Sequence, residues 1–149
     1  MPREVRTKWR AVPLLILSLC AFRPVAADEQ PLPMADYCEV TKRVLLLSAV
    51  EWKERLAAAE VNQGDERSLW RALDTITSRH RSYRAKIYGQ FGTSAGTVGR
   101  FSTDNKDEIR AYLDESPQIR NEIESARQTV TGLIDQFEAL MARSRGGQK

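Results

Sequence analysis

From Leu45 onward apolar residues return at Ala49, Trp52, Leu56 and Ala59, the spacing of one helix face, and Leu46, Leu47 and Val50 widen that stripe. A helix apolar over more than half its circumference lies centrally in a bundle or covers a second surface, and a central helix is the simpler expectation in a domain this small. Asn62-Gln63-Gly64-Asp65 supplies a stop and a restart. Gly64 can take a left-handed conformation past the helix end, and the Asp65 carboxylate can cap the helix that follows. The next face is the most regular in the chain, with Leu69, Leu73, Ile76, His80, Tyr83, Ile87 and Phe91 at steps of three and four. Two such helices joined by a few polar residues predict an antiparallel hairpin.

The stretch 89–105 breaks the period. Its glycines at 89, 92, 96 and 99 do not make a phosphate-binding P-loop, because the Lys-Ser or Lys-Thr that must follow is missing and no strand precedes them. A connector is expected instead, with a short helix capped by Thr93 or Ser94, docked on the core by Phe91, Val98 and Phe101. Asn105 then opens a helix with Glu108 three residues on, the spacing of a capping box, and Ile109, Tyr112 and Leu113 form its short apolar face. Ser116-Pro117 either kinks this helix or starts another. Ile119, Ile123, Ala126, Val130, Leu133, Phe137 and Leu140 continue in steps of four and three as far as Arg143, about 40 Å of helix. The pattern as a whole predicts an all-α domain over residues 36–143, a small antiparallel helical hairpin or bundle of three to four helices, with a flexible tail at 144–149.

Residues 1–10 are basic, residues 11–22 are apolar apart from Pro13 and Ser18, and Val25-Ala26-Ala27 places small residues before Asp28. This is the plan of a secretory signal peptide over 1–27, cleaved after Ala27. A membrane anchor fits less well, since twelve residues rise only about 18 Å as a helix against a hydrocarbon core of about 30 Å. A lipoprotein signal fits poorly too, because the bulky Leu19 precedes Cys20. Residues 28–35, with Pro31 and Pro33, read as an extended leader. The expected product is periplasmic or secreted and has no transmembrane segment.

Charge and cysteine content change with that cleavage. The whole chain of 149 residues carries 23 Lys plus Arg against 20 Asp plus Glu, but residues 1–27 hold five of the basic residues and one acid. From residue 28 on, the count is 18 basic to 19 acidic, a net of −1. A surface that tracks phosphates needs a net basic face, so nucleic-acid binding is not expected. Polar faces that mix both signs also gain little from an anionic membrane. Cys38 would be the one cysteine left, either a buried thiol or half of an intermolecular disulfide.

Candidate chemistry is sparse. The sequence contains no HExxH, CxxC, CxxCH or GxSxG, and Cys38 and His80 stand apart from any cluster that would ligate zinc, so no catalytic residue, metal site or cofactor is assigned. His80 lies on an apolar face and reads as a core or boundary histidine bonded to a neighbour. The acidic pairs Glu51 with Glu54, Asp107 with Glu108, Asp114 with Glu115 and Glu122 with Glu124 read as solvated helix surface, tied to basic neighbours as in Glu51 with Arg55 and Glu39 with Arg43. Arg79, Arg81, Arg84 and Lys86 spread around their helix and read as mainly solvated. No family signature is present: the repeated LTxxQ of periplasmic stress chaperones is absent, and Lys53, Asp65, Glu66 and Arg67 carry no residue assignment from the secreted all-helical chorismate mutases.

Two functions remain. The first is a non-catalytic protein-interaction or assembly module of the cell envelope, using Leu46, Leu47 and Val50 of the first long helix or a coiled-coil seam at Val130, Leu133 and Phe137 to bind another envelope protein or itself as a homodimer. The second is a small all-helical enzyme or anionic-ligand binder, with Arg71, Arg79 or Arg84 reaching an anion in a pocket between helices and the glycine-containing stretch as its lid.

Overall fold

The computed structural model describes residues 32–146. Residues 1–27, expected to be a signal peptide, with Cys20, the expected leader up to Pro31 and the last three residues of the tail lie outside the described residues. Among the described residues there are five helices and no strand: α1 (Met34–Val61), α2 (Glu66–Gln90), α3 (Ala95–Asp104), α4 (Lys106–Glu115) and α5 (Pro117–Gly146). The all-helical expectation stands, with five helices in place of three or four.

The ends of the long helices follow from their local sequence. Pro33 stands extended before α1, and its carbonyl accepts the Tyr37 amide at 2.9 Å. At the other end Asn62 folds back, its backbone N–H and its side-chain Nδ2 both donating to the Ala58 carbonyl. Gly64 has φ +85°, the left-handed value that makes glycine the favoured residue in this turn. Asp65 caps α2 by accepting from the Ser68 amide at 3.0 Å and the Ser68 hydroxyl at 2.7 Å.

The connection to α5 divides where the sequence left alternatives. Of the two cap candidates for α3, Ser94 performs the role, its Oγ accepting from the Thr97 amide at 3.1 Å. Asn105 does not complete the expected capping box. Its side-chain Nδ2 donates to the Phe101 carbonyl at 3.0 Å, closing the end of α3, so the side chain is spent on the preceding helix and not on Glu108. Pro117 begins a separate helix, in keeping with its place at a first helical position, where the missing amide costs nothing. At the far end α5 continues to Gly146, three residues beyond the Arg143 that the pattern indicated.

α1 packs against both α2 and α5. Arg43 of α1 meets Gln90 at the end of α2, and Arg55 meets Thr77 nearer its start, so those two helices run antiparallel. α5 runs the same way as α1: Lys42 pairs with Glu122 near their starts and Trp52 packs edge-on against Phe137 further along, ring centres 5.6 Å apart. Two apolar clusters hold the ends. One joins Leu32, Tyr37, Cys38 and Ile123, with Phe101 stacked on Tyr37 at 4.9 Å and Val98 beside it, so α3 does dock on the core. The other joins Ala59, Leu69 and Leu73 to Phe137, Leu140 and Met141.

Candidate functional site

Between these clusters the α1–α2 interface is polar. Val40, Val44, Leu47, Glu51 and Ala58 follow one another along α1 at steps of three, four and seven, so Glu51 interrupts an apolar stripe and is carried inward with it. It is 4% exposed. Two guanidinium groups meet its carboxylate: Arg55 donates to Oε1 from Nη2 at 2.8 Å and from Nε at 3.1 Å, and Arg84 of α2 donates to Oε2 at 2.6 Å. The same Arg55 Nη2 donates to the Thr77 hydroxyl at 2.7 Å, and that hydroxyl donates to the Leu73 carbonyl. The Arg55 guanidinium also lies 5.0 Å from the Trp52 ring centre, over its face. Burial alone would raise the Glu51 carboxyl, but the hydrogen bonds from Arg55 and Arg84 outweigh it and hold the group below the ordinary carboxylate value.

One turn along, Glu54 gathers a second pair. Its Oε2 accepts from Arg79 and meets His80 Nε2 at 2.8 Å. Desolvation again works against ionisation, and the bonds from His80 and Arg79 again prevail, so Glu54 also lies below its ordinary value. His80 is 1% exposed and edge-on to Tyr83, with ring centres 5.7 Å apart. Its Nδ1 is buried without a partner. Nε2 is the ring nitrogen that faces the Glu54 carboxylate, which can only accept, so the hydrogen on Nε2 is the one donated to Glu54.

These groups are chemically quiet. A carboxylate held ionised by two guanidinia is a weak base and no acid, and the proton on His80 already has an acceptor. The core histidine bonded to a neighbour is therefore found, with Glu54 as that neighbour. The reading of Glu51 as solvated surface is overturned. Its pairing with Arg55 was legible from the spacing, but its burial depends on Arg84 arriving from α2.

The arginines expected to reach an anion are dispersed: Arg71 is exposed, Arg79 is engaged by Glu54 and Arg84 by Glu51. Cys38 is free and 1% exposed, and burial raises its thiol, so a bridge to a second molecule requires the start of α1 to open. Among the described residues no group of three or more His, Cys, Asp or Glu could hold a metal ion, and no helix is long and apolar enough to cross a membrane.

On the opposite side of α1, α5 leaves a groove of about 850 Å³. Leu46 and Ala49 line it from α1 and Ser125, Ala126 and Thr129 from α5, while the Lys42–Glu122 pair closes one end. Leu46 is 52% exposed and Val50, on the next turn, 49%. The other candidate interface residues are less available. Leu133 is buried, Phe137 is taken up by Trp52, and Leu47 and Val130 are half-buried. Trp70 and Tyr83, by contrast, lie largely outside the core. No family model matches the chain, and no curated protein or solved structure matches it either.

Proposed function

We propose that the chain is exported and acts in the cell envelope as a non-catalytic helical module that binds protein, with a second copy of itself as the partner its surface fits best. One observation carries the reading: an exposed apolar ridge, Leu46 and Val50, stands directly beside a groove of which Leu46 forms one wall. A two-fold axis brings the same patch of each copy together, so a ridge next to a groove is self-complementary. The floor suits a helix from a partner, since Ala49 and Ala126 are small and allow close approach, and Ser125 and Thr129 can accept polar contacts at the rim. The rival reading of Arg71, Arg79 and Arg84 as one anion site has less support, because two of them already hold carboxylates.

The test starts from the full-length chain expressed in a host with a secretory pathway. Mass spectrometry of the exported product should show loss of residues 1–27, and retention of that segment in the cytoplasm would refute export. Light scattering of the recovered protein should give a dimer that persists in reductant. A dimer lost in reductant would move the contact to Cys38. A monomer at all concentrations would refute self-association and leave a different envelope protein as the partner to identify.

A further inference from the structure

Among the described residues α2 is the one long helix with a net positive charge. It carries six basic residues to two acids, whereas α1 carries four to five and α5 four to four. The near balance of charges from residue 28 on averages over this difference. From Thr75 to its end at Gln90, α2 has no acid. Arg79, Arg81 and Lys86 do spread around the helix, but Arg67 and Arg71 project between them. At 100° per residue the five fall within an arc of about 160°, with Asp74 the single acid inside it. The arc lies opposite Leu69, Leu73, Ile76 and His80, the face that α2 buries, and all five basic residues are exposed. Arg79 is held by Glu54, whereas Arg67 and Arg81 have no carboxylate partner among the described residues.

The form of this face selects its partner. From Arg67 to Lys86 the row runs about 28 Å along the helix, so its charges cannot converge on one small anion. Beyond Asp74 the other positions on the arc are Thr75, Ser78, Ser82, Ala85 and Gly89, all small, and the exposed rings of Trp70 and Tyr83 lie outside it. A protein interface is anchored by large side chains near its centre, and this face has none. Attraction there is electrostatic alone. A partner that curved around the helix would also meet repulsion, because the described residues outside α2 hold 15 acids to 11 basic residues. A flat anionic surface touches the arc and little else.

We propose that the outer face of α2 docks on the anionic headgroup layer of a lipid bilayer, with Arg67, Arg71, Arg81 and Lys86 facing the phosphates. Each cation near such a surface tightens binding about fivefold, and the four together, offset by Asp74, give a reversible attachment. No residue of α2 lines the α1–α5 groove, so the docking stands whether or not the chain assembles with itself.

Vesicles of phosphatidylglycerol and phosphatidylcholine in equal parts are the probe, sedimented with the full chain. They should bind it more tightly than vesicles of phosphatidylcholine alone, and the excess should vanish at about 0.5 M salt, where the Debye length is only about 4 Å. Arg67→Gln together with Arg81→Gln, both at exposed positions, should weaken the excess about 25-fold, fivefold for each charge, with the far-ultraviolet spectrum unchanged. Arg127→Gln, which removes an exposed arginine of α5 beside Glu124, should leave it as it was. Equal binding to the two kinds of vesicle, or an excess that the α2 pair does not touch, would overturn the proposal. So would equal weakening by Arg127→Gln for each charge removed, which reduces the effect to net charge. Tighter binding of a polyglutamate peptide or of duplex DNA at matched charge would overturn it in favour of an acidic protein or a nucleic acid.

Discussion

Toward α2, the first long helix presents Glu51, Glu54 and Arg55; toward α5 it presents Tyr37, Cys38, Ala49 and Trp52. The polar side is closed by hydrogen bonds that are satisfied in one alignment only. Sliding α2 along α1 by one turn would carry Arg84 about 5.4 Å from the Glu51 carboxylate and leave a buried charge unpaired. The apolar side has no such requirement. Small residues at Ala49 and Ala126 keep the helices near without filling the space between them, and the groove stays open. One face of α1 therefore fixes register, and the other packs on α5 with a groove left open beside Leu46 and Ala49.

The sharpest way to break this comparison is to remove the carboxylate. Glu51→Ala leaves Arg55 and Arg84 facing each other without a counter-charge and is expected to cost about 3–5 kcal/mol in urea unfolding, the usual cost of breaking a buried ion pair. On the other side, Ile123→Ala removes a buried side chain that packs with Tyr37 and Cys38 and should cost about 2–4 kcal/mol. If Ile123→Ala proved the more damaging of the two, the polar interface would not be what fixes the helix arrangement.

Acid separates the two sides further. Glu51 and Glu54 both lie below their ordinary value of 4.5, so the stability they contribute is complete above that value and is lost as the pH falls through their lower folded values. Glu54 is over a third exposed, so most of the effect belongs to Glu51. Thermal unfolding followed from neutral pH downward should show a falling Tm in the parent and in Ile123→Ala alike. In Glu51→Gln the starting Tm should be lower and the fall shallower. A slope unchanged by Glu51→Gln would assign the acid sensitivity elsewhere.

How much of this was legible varies with the range of the interaction that decides it. Gly64 and Asp65 act within a few residues of themselves, and both their positions and their roles could be read directly. The period from Leu69 to Ile87 located α2 because its first half, Leu69, Leu73, Ile76 and His80, forms one buried face, although Tyr83 beyond it is exposed. Asn105 misled, because its side chain had two neighbouring backbones to serve and the sequence does not say which one it takes. Glu51 misled for a different reason. An acid four residues before an arginine is common on helix surfaces, and only its register with Val40, Val44 and Leu47 hinted at burial. Arg84, which makes that burial tolerable, lies 33 residues away, and no local pattern connects the two. The α1–α5 groove was out of reach too, since the same period that placed Leu133 and Phe137 on the inner face gives no account of where two helices stand apart.

The smallest expected effect on folding bears most directly on function. Leu46→Asn and Val50→Thr replace apolar side chains that are about half exposed, so each should change the free energy of urea unfolding by no more than about 0.5 kcal/mol. If the same residues form a self-complementary contact, the pair of substitutions should convert a dimer to a monomer in light scattering while the far-ultraviolet spectrum and the Tm hold at a fixed low protein concentration. At high concentration the parent should melt later than the variant, because association stabilises the folded state by mass action. A parent and variant with the same mass and the same concentration dependence would show that the ridge takes no part in assembly. The open side of α1 would then be a consequence of small side chains at Ala49 and Ala126, and the polar side alone would account for the arrangement of the helices.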